Sequence, residues 1–211
     1  TPIIIENFKL VSRKTIMKGI SPIVSTVLML GIYASLIFIA YNFGNQIIEK
    51  NADTVLLEKA EDFLSELKGK INEARATGCE KEIKFDIPGE IVIDAEKDKI
   101  TYSVKAAVSL YENNSCLSWN CNSTGIFGED NFLFLRANSY KFENWFIDYY
   151  FLETRNLTHE KNIYRIDFIT PGNVSLKVKR GSKLIIKARE AKIENFDGKK
   201  LVTIPIELTI G

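Results

Sequence analysis

The stretch that decides the fold is IVSTVLMLGIYASLIFIAYNF, residues 23–43, which contains no charged side chain. The last charge before it is Lys18 and the next after it is Glu49, so thirty consecutive residues are uncharged. A helix rising 1.5 Å per residue needs about 20 mostly apolar residues to cross a hydrocarbon layer of roughly 30 Å, and Ile23–Phe43 meets that length. A core helix of this size in a soluble fold would carry charge on its outward face. A secretory signal has a shorter apolar core of about 7–15 residues followed by a small-x-small cleavage site. The stretch therefore reads as a transmembrane anchor.

Its flanks give a direction. Lys9, Arg13, Lys14 and Lys18 stand against the lone anion Glu6 on the amino side. The positive-inside rule places that end in the cytoplasm and the remainder of the chain outside. Four segments follow: a basic leader over 1–19, the apolar helix over 20–46, a helical extension over 47–76, and a β-rich domain over 77–211.

In the extension Ile48, Ala52, Leu56, Ala60, Phe63, Leu67, Ile71 and Ala74 recur at three- and four-residue steps, which predicts an amphipathic helix lying on the domain that follows. Gly44 is the one point where the rod could bend, and Gly78 marks its C-terminus. Beyond it the apolar period changes to two. Strands are expected over 90–94, 99–104, 132–135, 145–152, 163–168, 174–178, 183–188 and 201–209, with 106–111 extending the second. Residues 113–130, rich in Asn, Ser, Gly and Cys, read as a long exposed loop. Pro205 assigns the last strand to a sheet edge, because proline cannot donate to a central ladder. The expected class is α+β: a long hydrophobic helix, then a sandwich or twisted antiparallel sheet covered by the amphipathic extension.

A formal net charge of +1 over 211 residues gives no argument for a nucleic-acid partner. No dinucleotide or phosphate-binding glycine loop and no nucleophile elbow occurs, and the single histidine, His159, lies in a polar turn. The chain reads as a non-enzyme with no catalytic residue and no cofactor. Four soft metal ligands could be gathered only from all three cysteines and His159, so no metal site is assigned. Paired acids such as Glu129 and Asp130 lack calcium-loop spacing. Cys116 and Cys121 are spaced to close a small disulfide loop in an oxidising compartment, with Cys79 a free thiol or an alternative partner for either. Asn113, Asn122, Asn156 and Asn173 begin N-glycosylation sequons in or beside predicted loops. The aromatic run from Tyr140 to Phe151 reads as a strand packing its large rings into the core and an interface, with a ligand or carbohydrate surface as the alternative.

The junction Lys18-Gly19-Ile20-Ser21-Pro22-Ile23-Val24 resembles the processing site of archaeal type IV pilin-like proteins, which carry class III signal peptides. The resemblance spans roughly residues 17–48; beyond them only the order of helix and β-domain is alike. It implies cleavage between Gly19 and Ile20, with Lys18 and Gly19 matching the cut site, by a prepilin peptidase on the cytoplasmic side. Ser21, Pro22, Ile23, Val24, Val27, Leu28, Leu30, Gly31, Leu36 and Phe38 would then form the assembly helix. Val24 stands at the fifth mature position, where bacterial pilins carry glutamate, so the archaeal type fits better. Residues 1–16 make a long leader for that family, and Met17 is an alternative start with a three-residue leader.

The implied function is a structural subunit of a cell-surface filament used in adhesion, stored in the membrane and assembled by self-association and the pilus machinery. Surface-layer proteins or glycans are the further partners expected. The alternatives are a membrane-anchored accessory or minor pilin, an archaellum component, or a tethered extracellular binding domain.

Overall fold

A computed structural model describes residues 22–111, 115–118, 121, 125–128, 130–196 and 198–211. The leader and the cleavage junction, residues 1–21, lie outside them, as do the sequons at Asn113 and Asn122. The chain divides into two compact units, Thr1–Gln46 and Ile47–Gly211.

One α-helix, α1, spans Pro22–Thr77, and Gly44 does not interrupt it. It ends where the sequence places its stop. Gly78 adopts φ +67°, a left-handed conformation that glycine reaches without a Cβ clash, and its N–H donates to the carbonyl of Ala74 at 2.8 Å.

Within the second unit the helix buries a stripe made of Leu57, Ala60, Leu64, Leu67, Ile71 and Ala74, with Phe63 beside it. These residues recur strictly at three- and four-residue steps, so they form one continuous face. The stripe differs at its start from the expected one: Ile48 is exposed and Leu56 only partly buried, while Leu57 and Leu64 take the core positions. Both sets satisfy helical periodicity, and only the facing sheets choose between them.

Among the described residues twelve strands follow. They are β1 Lys81–Lys84, β2 Glu90–Asp94, β3 Lys99–Ala106, β4 Ser115–Cys116, β5 Leu133–Phe142, β6 Trp145–Thr154, β7 Leu157–His159, β8 Asn162–Ile169, β9 Leu176–Val178, β10 Lys183–Ala188, β11 Lys192–Phe196 and β12 Lys199–Ile210. One sheet has the order β1-β10-β12-β8-β7, with β11 also pairing β12; the other runs β4-β5-β6-β3-β2-β9. The class is α+β as expected. Among the described residues all ladders are antiparallel except β8 with β12. The inward rows of both sheets and the helical stripe join in one apolar core.

The last strand is central, not an edge. β12 is flanked by β8 on one side and by β10 and β11 on the other. The reason is local. β11 pairs β12 up to Thr203 and β10 pairs it from Ile206, so Pro205 falls where one neighbour gives way to the next. Its carbonyl still accepts from Arg189 N–H at 2.8 Å, and the one donor that proline lacks falls at the end of the β10 ladder.

Three further differences concern the strand map. Residues 107–111 do not extend β3. The expected loop over 113–130 contains β4, and Cys121 within it is buried. The aromatic run is not one strand: β5 and β6 form a hairpin in which Phe142 faces Trp145 across a two-residue connection, with Glu143 at φ +28°. Glu-Asn is not among the strong hairpin-turn dipeptides, which is why the turn is hard to read from sequence.

Candidate functional site

Two surfaces stand out, one in each unit. The first is the apolar half of α1. Its assembly-helix residues Ile23, Val24, Val27, Leu28, Leu30, Leu36 and Phe38 are all exposed, from 49% for Val24 to 74% for Ile23. A monomer in water rarely shows a contiguous apolar patch above a few hundred Å², and this one covers every side of a helix. The polar groups inside the stretch turn back on the helix itself. Ser35 Oγ donates to the Gly31 carbonyl at 2.8 Å, and Asn42 Nδ2 donates to the Phe38 carbonyl at 3.0 Å. Such bonds remove the need for water, which a lipid or protein surround would not supply. A Cβ at Gly31 would meet nothing within 4 Å, so the glycine leaves an open notch on the helix surface. By length and composition α1 can cross a membrane, and none of its apolar window is buried. Pro22 opens the helix; Lys18, Gly19, Ile20 and Ser21 fall outside the described residues.

The second surface is the outward face of β3, β5 and β6. Alternation sends Asp148, Tyr150 and Leu152 of β6 into the core and leaves Trp145, Ile147, Tyr149 and Phe151 on the other face. Register on β5 adds Tyr140 and Phe142 to that outer face, and β3 adds Thr101, Ser103 and Lys105. Only Tyr150 of the aromatic run is fully buried, so most of its rings line a surface and not the core.

The outer rings order one another. Phe142 stacks on Trp145 with centroids 4.7 Å apart, Tyr140 meets Tyr149 edge-on at 5.6 Å, and Tyr149 and Phe151 run nearly parallel at 6.2 Å. Two lysines lie over ring faces at the margins: Lys99 is 3.7 Å from the Phe151 centroid and Lys105 is 4.2 Å from that of Trp145. The charge of Lys99 is also met by Glu153 at 2.8 Å. Between the rings lies a recess of about 420 Å³ lined by Thr101, Tyr140, Phe142, Tyr149 and Phe151. The signal for this face was present as aromatic residues at every second position, but it required the hidden turn to be read.

The remaining sequence candidates are scattered. Cys116 and Cys121 form a disulfide, and Cys79 is an exposed free thiol after the helix. Asn156 and Asn173 are exposed, the former between β6 and β7 and the latter closing a short 3-10 turn at φ +54°. His159 ends β7 on the surface, its ring 6.2 Å from Phe127. Among the described residues no three of the His, Cys, Asp and Glu side chains are grouped to hold a metal.

Among the described residues of the β-domain, two carboxylic acids titrate above their ordinary range. Asp148 is fully buried, and desolvation raises its pKa, reinforced by Asp53; Ser109 donates to it at 3.1 Å and opposes the shift. Asp98 accepts from Phe168 N–H at 2.8 Å, while burial, with Asp167 and Asp94 nearby, pushes its pKa up to about 6. Asp98 directly precedes β3 of one sheet and Phe168 lies on β8 of the other, so this bond ties the two sheets together.

Comparison with protein-family models, with curated proteins and with solved structures returns no match for this chain.

Proposed function

We propose that the chain is a structural subunit of an archaeal type IV pilus-like surface filament, cut after Gly19 and assembled through the apolar half of α1. The observation that carries this reading is the junction Lys18-Gly19-Ile20-Ser21-Pro22 set directly before a helix whose large apolar side chains are exposed on every side. A helix of that kind gains by moving from lipid to a bundle of identical helices, because apolar burial is kept and close packing is added. No side-chain charge has to be desolvated on the way, since residues 19–48 carry none. Gly31 lets a neighbouring helix approach closely. The β-domain then decorates the filament outside the cell, stapled by Cys116–Cys121, with Asn156 and Asn173 exposed for glycosylation.

The test is to identify the N-terminus of the protein taken from its native membrane and from sheared cell-surface material. Ile20 is expected as first residue in both fractions. Retention of residues upstream of Ile20 overturns the processing step, and absence of the trimmed chain from the sheared fraction overturns the filament role.

A further inference from the structure

We infer that the outer face of β3, β5 and β6 is a binding site for a neutral oligosaccharide chain. This inference stands apart from the filament reading and needs only the second unit's own geometry. The central recess, about 420 Å³, falls within the size range of small-molecule sites, roughly 300–1,000 Å³. Its lining is four aromatic rings and one threonine, with no charged side chain. A pyranose offers the complementary chemistry: a face of C–H groups that are weakly positive, and a rim of hydroxyls. Aromatic faces carry negative quadrupole density and attract such C–H groups, while the hydroxyls of Tyr140, Tyr149 and Thr101 can exchange hydrogen bonds with the rim.

Two observations select a sugar over a protein segment. The first is composition. An aliphatic-rich patch would suit leucine or methionine anchors, but Ile147 is the single aliphatic residue the outer row of β6 contributes, and it lies outside the recess. The second is backbone. β6 is paired with β5 and β3 along its length, and β3 with β6 and, as far as Ser103, with β2, so no peptide can add between these strands beneath the central recess. Preorganisation favours the rings further: each is held by another ring or by a lysine stem, so little rotamer freedom is left to lose on binding.

The site is longer than one sugar. A second recess, about 460 Å³, runs from Ser103 and Lys105 of β3 to Trp145 and Ile147 of β6, with Leu56, Pro88 and Val104 giving it a more aliphatic wall than the central one. Thr101 and Ser103 are successive outward residues of the same strand, so the two recesses adjoin. Several linked sugar units can therefore lie along the face. Neutrality follows from the central recess, whose lining carries no charge: Lys99 beside it already meets Glu153, and in the second recess Glu90 meets Lys177 at 2.6 Å while Lys105 lies over the Trp145 ring.

The experiment is calorimetric titration of the full chain, held in a detergent without a sugar headgroup, with cellohexaose, chitohexaose and mannohexaose. At least one of the three is expected to bind saturably. Tyr149→Ala and Tyr140→Ala should each weaken that binding about tenfold or more, Tyr149→Phe should keep most of it, and Lys141→Ala on the opposite face should leave it unchanged. Tyr140 is exposed and Tyr149 lies outside the core, so these variants should retain the parent's unfolding midpoint. No binding of any of the three at millimolar concentration overturns the proposal, as does binding that Tyr149→Ala leaves intact. Loss of self-association in Tyr149→Ala without any sugar binding would overturn it in favour of a contact between copies.

Discussion

The hydroxyl of Tyr150, in the middle of β6, donates to the backbone carbonyl of Leu57 on α1 at 3.3 Å. Both residues are fully buried, and the Tyr111 hydroxyl lies 3.4 Å from the Tyr150 hydroxyl. This bond marks where the buried stripe of the helix begins. Tyr150→Phe removes the hydroxyl alone, and the Leu57 carbonyl keeps its place in the helical ladder, so the expected cost is about 0.5–1.5 kcal/mol. Tyr150→Ala also empties a ring-sized space and should cost about 3–5 kcal/mol. Denaturant unfolding of the three proteins checks the order.

The disulfide between Cys116 and Cys121 closes a loop of sequence separation 5. On chain-entropy grounds so short a loop contributes about 2 kcal/mol. The Cys116→Ser, Cys121→Ser double variant should unfold at correspondingly lower denaturant, and added reductant should move the parent the same way while leaving the variant unaffected.

Asp98 supplies a pH dependence. Its folded pKa, about 6, lies above its ordinary 3.8, so the folded state favours the protonated form. The carboxyl costs nothing below 3.8 and destabilises the fold progressively as pH rises through about 6. Asp98→Asn keeps an acceptor for Phe168 N–H and tolerates the left-handed backbone, φ +49°, while removing the charge beside Asp167 and Asp94. The variant should match the parent near pH 3.5 and unfold a few degrees higher at pH 7. Equal midpoints at both pH values would refute the assignment.

The proposed membrane residence of α1 makes it sensitive to charge at its centre. Arginine at mid-helix costs about 2.5–3.5 kcal/mol on insertion scales. Ile32→Arg with Leu36→Arg, both replacing exposed apolar residues, should shift the chain from the membrane pellet to the alkaline-carbonate extract. A chain that stays in the pellet would contradict the anchor.

The proposed processing at the junction requires the small residue there. Gly19→Leu is expected to block removal of the leader and to hold the protein in the cell membrane, read as an unshifted band in a precursor-to-mature assay. Normal trimming of this variant would place the cut elsewhere.

Much of the β-domain was legible as pattern. Glu90–Asp94 and Lys183–Ala188 come out with their expected bounds, because short apolar runs rich in isoleucine stand between turn glycines and charged residues. β1, β7 and β11 were not legible. Each is five residues or fewer and reads as a charged or polar segment, ordered by the ladder of a longer neighbour more than by its own composition. The aromatic face was hidden for a different reason: a twelve-residue run of rings reads as core until the Glu143–Asn144 turn folds it in two and sets alternate rings outward.

By itself the sequence determined that residues 23–43 form a helix too apolar for water, that a helix ends at Gly78, and that strands follow. Those outcomes depend on local chemistry, namely the absence of charge, a glycine's access to positive φ, and a change of period. Only the tertiary structure decided that Leu57 and Leu64 face inward in place of Ile48, that Pro205 sits in a central strand at the handover from β11 to β10, and that the rings of β5 and β6 form an outer surface. Each of these depends on what lies across a space from the residue, and periodicity states which residues share a face without stating what that face will meet.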